Sequence, residues 1–553
     1  MSEQQINGGA LLVQALQSNQ VDTVYCVPGE SYLPVLDALY EHPGMKTIVS
    51  KHEGAASNMA DAYGKLTGRP GIVFVTRGPG ATHASNGVHT AMQDSTPMIL
   101  FIGQVGSDVK EREAFQEINY RSMFGDVAKW ATEIDSIERI PEIVNRAFSV
   151  AMSGRKGPVV IGLPEDVLFG MTQALPALAP AKTVEAAPCA LALQALQEEL
   201  QQARRPLVVV GGTGWTEQAS ADLQRFVQAH QLPVAAGFRR QDILDNRDPH
   251  YVGQLGLGIS PALAETVQQA DLLIVVGSRL SEVTSGAYAL IRSPRPAQRL
   301  VHAHADAQEL NRVFQCDVPV QAGVAAMAQA LARLPVPGQI AGRETWLQEA
   351  RKNYEQHNTP LPRQPQQTGV SLAHVMGYLN QHLPEDAILT NGAGNYTVWL
   401  HRFYQYKKLA TELAPTNGAM GYGLPAAIAA KLHAPERTVV CFAGDGCFLM
   451  YPQELATAKQ FGANVIVIVV NNGMYGTIRM HQEREFPGRV SATDLEGPDF
   501  VLLAQAFGAH GERVETDDAF APAFERAMAS GKPALIELRT DPAQIGPQAR
   551  LAA

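Results

Sequence analysis

The chain has 553 residues, 46% of them hydrophobic and 18% charged, enough for roughly three domains with ordinary cores. Its formal net charge of -10 leaves no basic footprint for nucleic acid or an anionic membrane surface. Five scattered cysteines without metal-type spacing and a start lacking a basic-then-apolar leader lead us to expect a reduced cytoplasmic protein with no membrane span.

Short apolar strands alternate with amphipathic helices throughout, which predicts an α/β fold of three doubly wound parallel-sheet domains. The first, residues 1-172, has predicted strands at Thr23–Val27, Thr47–Ser50, Gly71–Thr76, Met98–Gly103 and Pro158–Leu163. An Ala/Pro-rich run makes 173-189 a linker. The second domain, 190-340, has predicted strands at Pro206–Val210, Pro233–Ala236, Asp271–Val276 and Arg299–Ala303. Residues 341-368 read as a second linker that begins with a helical stretch, Glu344 to Gln356. The third domain, 369-553, has predicted strands at Ala387–Thr390, Thr438–Ala443, Asn464–Val470 and Ala534–Arg539. No short internal repeat is present.

The stretch from Thr438 to Asn472 carries the sharpest signal. A strand runs into Gly444-Asp445-Gly446-Cys447, a helix is predicted over about Pro452–Phe461, and a second strand ends at Asn471-Asn472. Such a unit makes its strands parallel, with neighbours about 4.8 Å apart, so Asp445 and Asn472 come close together. A carboxylate and an amide oxygen there suit magnesium, and the helix start offers N–H groups to a phosphate. Either piece alone is a common turn; together the stretch resembles the magnesium–diphosphate motif of thiamine-diphosphate enzymes. The resemblance implies thiamine diphosphate and Mg2+ as cofactors. It makes Asp445, Asn472 and the Met474 carbonyl the metal ligands, with Gly444, Gly446 and Cys447 around the diphosphate.

Residues 27–105 resemble the pyrimidine-binding domain of the acetolactate synthase and pyruvate decarboxylase family. The resemblance gives Glu53 a catalytic role: it hydrogen-bonds a ring nitrogen of the cofactor and favours the tautomer that removes the thiazolium proton. On its own, a glutamate after a strand is more often a solvated cap. Pro28 and Gly29 fall beside the cofactor by the same likeness. Gly78-Pro79-Gly80 resembles the turn that closes over it, although a plain tight turn reads equally well. After Gly80-Ala81-Thr82 the family usually has Asn, and this chain has His83. Ala114-Phe115-Gln116-Glu117 is similar to the acetolactate synthase branch, where Phe and Gln border the substrate. Glu30 instead puts a carboxylate where decarboxylases carry Asp: a proton donor, a carboxylate-repelling group or an exposed turn residue.

Glycine turns after strands in the second domain, at Gly211–Gly214 and Gly277, are weak signals for a dinucleotide. By resemblance, acetolactate synthases hold FAD in this domain and oxalyl-CoA decarboxylases an adenine nucleotide. The residues after Gly256 and Arg279 depart from the flavin branch, so the fold has a place for FAD but FAD is not expected. In the third domain, Gly392-Ala393-Gly394-Asn395 looks like a second diphosphate loop. The family's apolar wedge between the cofactor rings falls on Met420, and the Gly418 carbonyl faces the exocyclic nitrogen. The implied reaction is decarboxylation of a 2-oxo acid followed either by carboligation to a second carbonyl or by release of an aldehyde. Nine positions past Asn472, where some acetolactate synthases have Trp, stands His481, with Arg479 nearby. Both read as a solvated loop or as part of a polar acceptor site. A homodimer or homotetramer is implied, since the family builds its site between two subunits.

Overall fold

The computed structural model describes residues 5–551, apart from 175, 177, 337, 339, 361 and 364. Three six-stranded sheets, all parallel, form its three layers. Residues 175 and 177 of the first predicted linker and 361 and 364 of the second lie outside the described residues.

The first sheet runs in the order Lys46–Val49, Thr23–Cys26, Gly71–Val75, Met98–Gln104, Pro158–Pro164, Trp130–Glu133. The third repeats that order with Glu412–Leu413, Ile388–Asn391, Val439–Gly444, Ile466–Asn471, Ala534–Arg539 and His510–Val514. In both, the chain starts one strand in, steps to the edge, then crosses back and builds the other way. The point of reversal opens a crevice at the carboxyl ends of the two strands that flank it, where α/β proteins bind ligands. In the first sheet those ends lead into Val27–Glu30 and Thr76–Pro79; in the third, into Gly392–Asn395 and Asp445–Cys447. The middle sheet (Tyr251–Gln254, Val234–Ala236, Pro206–Val210, Leu272–Val276, Arg299–His304, Val318–Gln321) reverses between Pro206–Val210 and Leu272–Val276.

One apolar core joins the first and third layers. Helix Glu53–Thr67 is buried at every position from Gly54 to Gly64, and it packs on helix Gly423–His433. Both helices are rich in Gly and Ala, so their backbones approach closely, and the small side chains leave no groove for water.

The predicted central strands form, and the strands the sequence pattern missed in the three large sheets all lie at sheet edges: Trp130–Glu133, Tyr251–Gln254, Val318–Gln321, Glu412–Leu413 and His510–Val514. Gln5–Asn7 and Met171–Gln173, also missed, pair antiparallel as a separate two-stranded sheet. Two further readings are corrected. Gly78-Pro79-Gly80 is no free turn but the first turn of helix Gly78–Asp94, with proline where its missing N–H costs nothing. The stretch 341-368 is more than a linker. Its helix Arg343–Asn358 buries Trp346 and Ala350 against the middle sheet, and Trp346 donates to the Pro206 carbonyl at 2.9 Å.

Candidate active site

Beside the third sheet's reversal, strand Val439–Gly444 pairs on its other edge with Ile466–Asn471; Gly444 stands beside Val470 in register, so these two strand ends deliver Asp445 and Asn472 side by side. Asp445 is buried. One carboxylate oxygen accepts from Gly446 N at 2.8 Å and the other from Gly473 N at 2.9 Å. Burial pushes its carboxyl up despite these amides, so a cation at this place would restore the charged form. Asn472 Oδ1 accepts from Met474 N at 3.2 Å, and the Met474 carbonyl accepts from Gly476 N at 2.9 Å. The nearby Asn391 Oδ1 is buried with no partner. Two acidic or amide oxygens, a backbone carbonyl and a run of N–H groups fit a hard cation carrying a diphosphate.

The loops around this pair are tied by Cys447. Its thiol accepts from Gly421 N and from Tyr396 Oη, each at 3.2 Å, and a Cβ added at Gly392 would lie 2.4 Å from the sulfur. The side chain is therefore structural, and only its backbone is left for a ligand. A Cβ on Gly446 would meet the Tyr475 ring at 2.7 Å. Gly392 N donates to Tyr396 Oη, Ala393 and Gly394 follow, and Asn395 Oδ1 accepts from Thr477 Oγ1 at 2.8 Å. Asn395, Tyr396 and Asn472 line one small cleft. Met420 is half-buried against the cluster that holds Tyr396 and Cys447, two residues past exposed Gly418.

At the first sheet's reversal the construction differs. Glu53 is the first residue of its helix, and its Oε2 is 2.8 Å from His83 Nδ1. The His83 ring stacks on His52, centroids 4.6 Å apart, and His52 also meets the tilted Tyr451 ring at 5.2 Å. Burial first, and the neighbouring His83 second, hold the His52 imidazole below its ordinary value. Pro28 and Gly29 connect strand Thr23–Cys26 to the single turn Glu30–Tyr32, and Ser31 Oγ bonds Thr76 Oγ1 at 3.0 Å. Pro79 lies one turn from His83. Glu30 is exposed, yet its Oε1 accepts from Arg77 Nη2 at 2.6 Å. Arg77 is buried, bonds Glu165 as well, and reaches Gln116 Oε1 at 3.4 Å. Gln116 adopts φ +65°, and its carbonyl accepts from Gly78 N at 3.0 Å.

These two clusters approach through other residues. Glu454 Oε1 accepts from Lys51 N at 3.0 Å, and Asn86 Nδ2 donates to Tyr451 Oη at 3.4 Å. Among the described residues no hydrogen bond joins Glu53 or His83 to Asp445, Asn472 or Met474. His481 sits on helix Gly476–Glu485, exposed and bonded to Arg484 of the same helix, while Arg479 pairs with Glu483. The structure brings neither of them to Glu53 or Asp445. At the middle sheet's reversal lies a cavity of about 340 Å³ lined by Gly212, Lys156, Arg239, Arg240 and Arg279. Arg239 is buried with Nε unpartnered, and burial lowers Arg279 to about 10. That donor set suits the diphosphate of a nucleotide.

Family comparisons agree with this geometry. The N-terminal TPP binding domain of thiamine pyrophosphate enzymes matches residues 6–123, the central domain 193–331 and the C-terminal TPP binding domain 392–538. The acetolactate synthase isozyme 2 large subunit of Escherichia coli (strain K12) is 31% identical over 538 residues, covering 97% of this chain and 96% of the relative. The chain belongs to the thiamine pyrophosphate enzyme family. The acetolactate synthase large subunit of Lactococcus lactis subsp. lactis (strain IL1403) is 32% identical over 97% of this chain and 93% of its own length. That of Parasynechococcus marenigrum (strain WH8102) is 32% identical over 97% and 88%. This thiamine pyrophosphate enzyme, of the acetolactate synthase type, carries features at its site that the sequence reading did not single out. Arg77, Glu165, His52, Tyr396 and Tyr451 are among them. Arg77 had a signal: an arginine between an apolar strand and Gly-Pro-Gly has no solvent-facing excuse. Tyr396 and Tyr451 had none, since buried tyrosines are common.

Among the described residues no helix is long and apolar enough to cross a membrane.

Proposed function

We propose that this thiamine pyrophosphate enzyme decarboxylates a 2-oxo acid and joins the remaining fragment to a second carbonyl compound. The observation that carries the reading is the match to acetolactate synthase large subunits along almost the whole chain. Bound thiamine diphosphate supplies an electron sink for the carbon that loses carbon dioxide. Asp445, Asn472 and the Met474 carbonyl hold Mg2+, and the amides after Gly444 and Gly392 hold the diphosphate. Cys447 contributes its backbone only. Met420, packed on the Tyr396 and Cys447 cluster, would supply an apolar surface to the bound cofactor, and the Gly418 carbonyl would be a hydrogen-bond acceptor for it. Glu53 keeps a proton on the far ring nitrogen. Gln116, beside Arg77, borders the substrate.

The second reading, simple decarboxylation, rests on Glu30. Its carboxylate is engaged by Arg77 at 2.6 Å, which makes it a poor free proton donor. A homo-oligomer in the cytoplasm fits what the single chain leaves exposed and unpaired. Helix Gly476–Glu485 buries none of its residues, Phe115 is 75% exposed, and all five cysteines are free thiols. In such an assembly His481 and Arg479 would face a neighbouring subunit. The cations of the middle cavity support a nucleotide diphosphate there, FAD not being expected.

The deciding experiment incubates the protein with thiamine diphosphate, Mg2+ and a panel of 2-oxo acids, measuring carbon dioxide and organic products. A hydroxyketone or 2-hydroxy-2-methyl-3-oxo acid formed with carbon dioxide is the expected result. Free aldehyde as the main product would move the assignment to decarboxylase, and no carbon dioxide from any acid would refute both. A colourless preparation is expected.

A further inference from the structure

Every group that acts on the cofactor's ring must be held still while it shares a proton, and Glu53 has an unusual holder. Its Oε2 lies 2.8 Å from His83 Nδ1. The other oxygen lies near Gly80, where an added Cβ would stand 3.6 Å from it, and among the described residues Oε1 has no hydrogen-bond partner. The carboxylate is thus fixed by one oxygen and free at the other. His83 is itself fixed by the His52 ring stacked on it at 4.6 Å. His52 Nδ1 accepts from Gly54 N at 3.0 Å, so His52 carries its own proton on Nε2 and is not a donor to Glu53 through Nδ1. Tyr451, from the third layer, packs against the His52 ring and accepts from Asn86 on the helix that bears His83.

We propose that His83 is the positioning residue of Glu53, holding Oε2 so that Oε1 is left to meet the cofactor's ring nitrogen. This deepens the reading of Glu53 given above and rests on it. The Nδ1 side of the His83 ring anchors Oε2, and without that partner the carboxylate is free to turn about its last side-chain bond. The stacked His52 fixes the plane of the ring that carries the anchor.

The test follows the exchange of the cofactor's acidic thiazolium proton for deuterium, read by acid quench and NMR on enzyme loaded with thiamine diphosphate and Mg2+. It needs no substrate. The cofactor Kd is measured beside it. His83→Phe keeps a ring on His52 but removes the donor, and exchange is expected to slow about tenfold with little change in Kd. His83→Asn supplies an uncharged N–H. It is expected to recover most of the rate. A purely structural role would show no such rescue. Exchange in His83→Phe within twofold of wild type would overturn the proposal. If His83→Phe does not take up cofactor, His83→Leu is read in its place, and exchange there within twofold of wild type overturns the proposal. Glu53→Gln separates the two readings. Normal exchange in that variant removes the role of Glu53 itself, whereas slow exchange there with an unaltered His83 series removes only the role of His83.

Discussion

The first and third sheets share one strand order and gather their candidate site residues at the carboxyl ends of strands around the same topological reversal, yet they build opposite kinds of site. The third uses backbone. Glycines crowd tyrosine rings and a thiol, one buried carboxylate stands among amides, and the chain leaves no room for alternatives. The first uses long side chains paired across the crevice, Glu53 with His83 and Arg77 with Glu30, Glu165 and Gln116. A rigid backbone cradle suits a group that is only held, such as a diphosphate. Paired, partly exposed side chains suit a group whose protons move, because their charges can be shared or exchanged.

The largest expected effect tests that division at Glu53. Glu53→Gln keeps the shape of the helix start and the contact to His83 while losing the ability to share a proton. Turnover should fall by about 10²–10⁴-fold, the range for a lost acid–base group, with the cofactor still bound. Near-normal turnover would erase the distinction between the two halves. Asp445→Asn is the counterpart in the cradle. It leaves the amide contacts largely in place but removes the charge that a cation requires. Mg2+-dependent cofactor affinity is expected to drop by about tenfold or more, or ~1.4 kcal/mol, by calorimetric titration. Unchanged affinity would show that no metal is held there.

This contrast also explains what could be read from the sequence. The cradle is local: Gly444-Asp445-Gly446 and Asn471-Asn472 each lie at a strand end, and strand pairing alone brings them together. The paired side chains are not local. Arg77 meets Glu30 and Glu165 only through the parallel order of three strands, and His83 meets Glu53 only because two helices start side by side. Likewise the central strands announce themselves as apolar runs, buried on both faces. Edge strands such as Glu412–Leu413 and His510–Val514 are short or mixed in polarity, and half of their hydrogen bonding faces outward. Helix Arg343–Asn358 is mostly polar, and its few buried positions are too sparse to separate it from a linker by pattern.

A smaller effect measures how tightly the cradle is packed. At Gly392 a methyl group would meet Cys447 Sγ at 2.4 Å, and that sulfur is already held by Gly421 N and Tyr396 Oη. Gly392→Ala should therefore destabilise the protein by about 1–3 kcal/mol, the usual penalty for overpacking. Adding Cys447→Ala should recover part of the loss in urea denaturation. Additive losses would mean that the loops yield where the contacts say they cannot.

The smallest expected effect lies at the seam between the two halves. Glu454, on the third layer, is fully buried; it accepts from Lys51 N, next to His52 and Glu53, and from Thr457 Oγ1. Burial, the dominant cause, raises its carboxyl from 4.5 to about 7, while those hydrogen bonds pull the other way. The folded protein thus keeps a proton that the unfolded chain releases near its ordinary value. Between those two pH values the native state binds more protons, so stability from this group is present at low pH and is lost as pH rises toward about 7, with no further loss above. Glu454→Gln cannot ionise. It should cost stability at pH 5, where the wild-type carboxyl is already neutral and better matched to two donors. It should regain that loss, or exceed it, at pH 8. The measurement is the difference in Tm between variant and wild type at the two pH values, in which all other titrating groups cancel. Parallel curves would mean that Glu454 is charged in the folded protein at both pH values. The seam would then be held by an ionised carboxylate, and the loop that presents His52 and Glu53 would owe its position to charge rather than to burial.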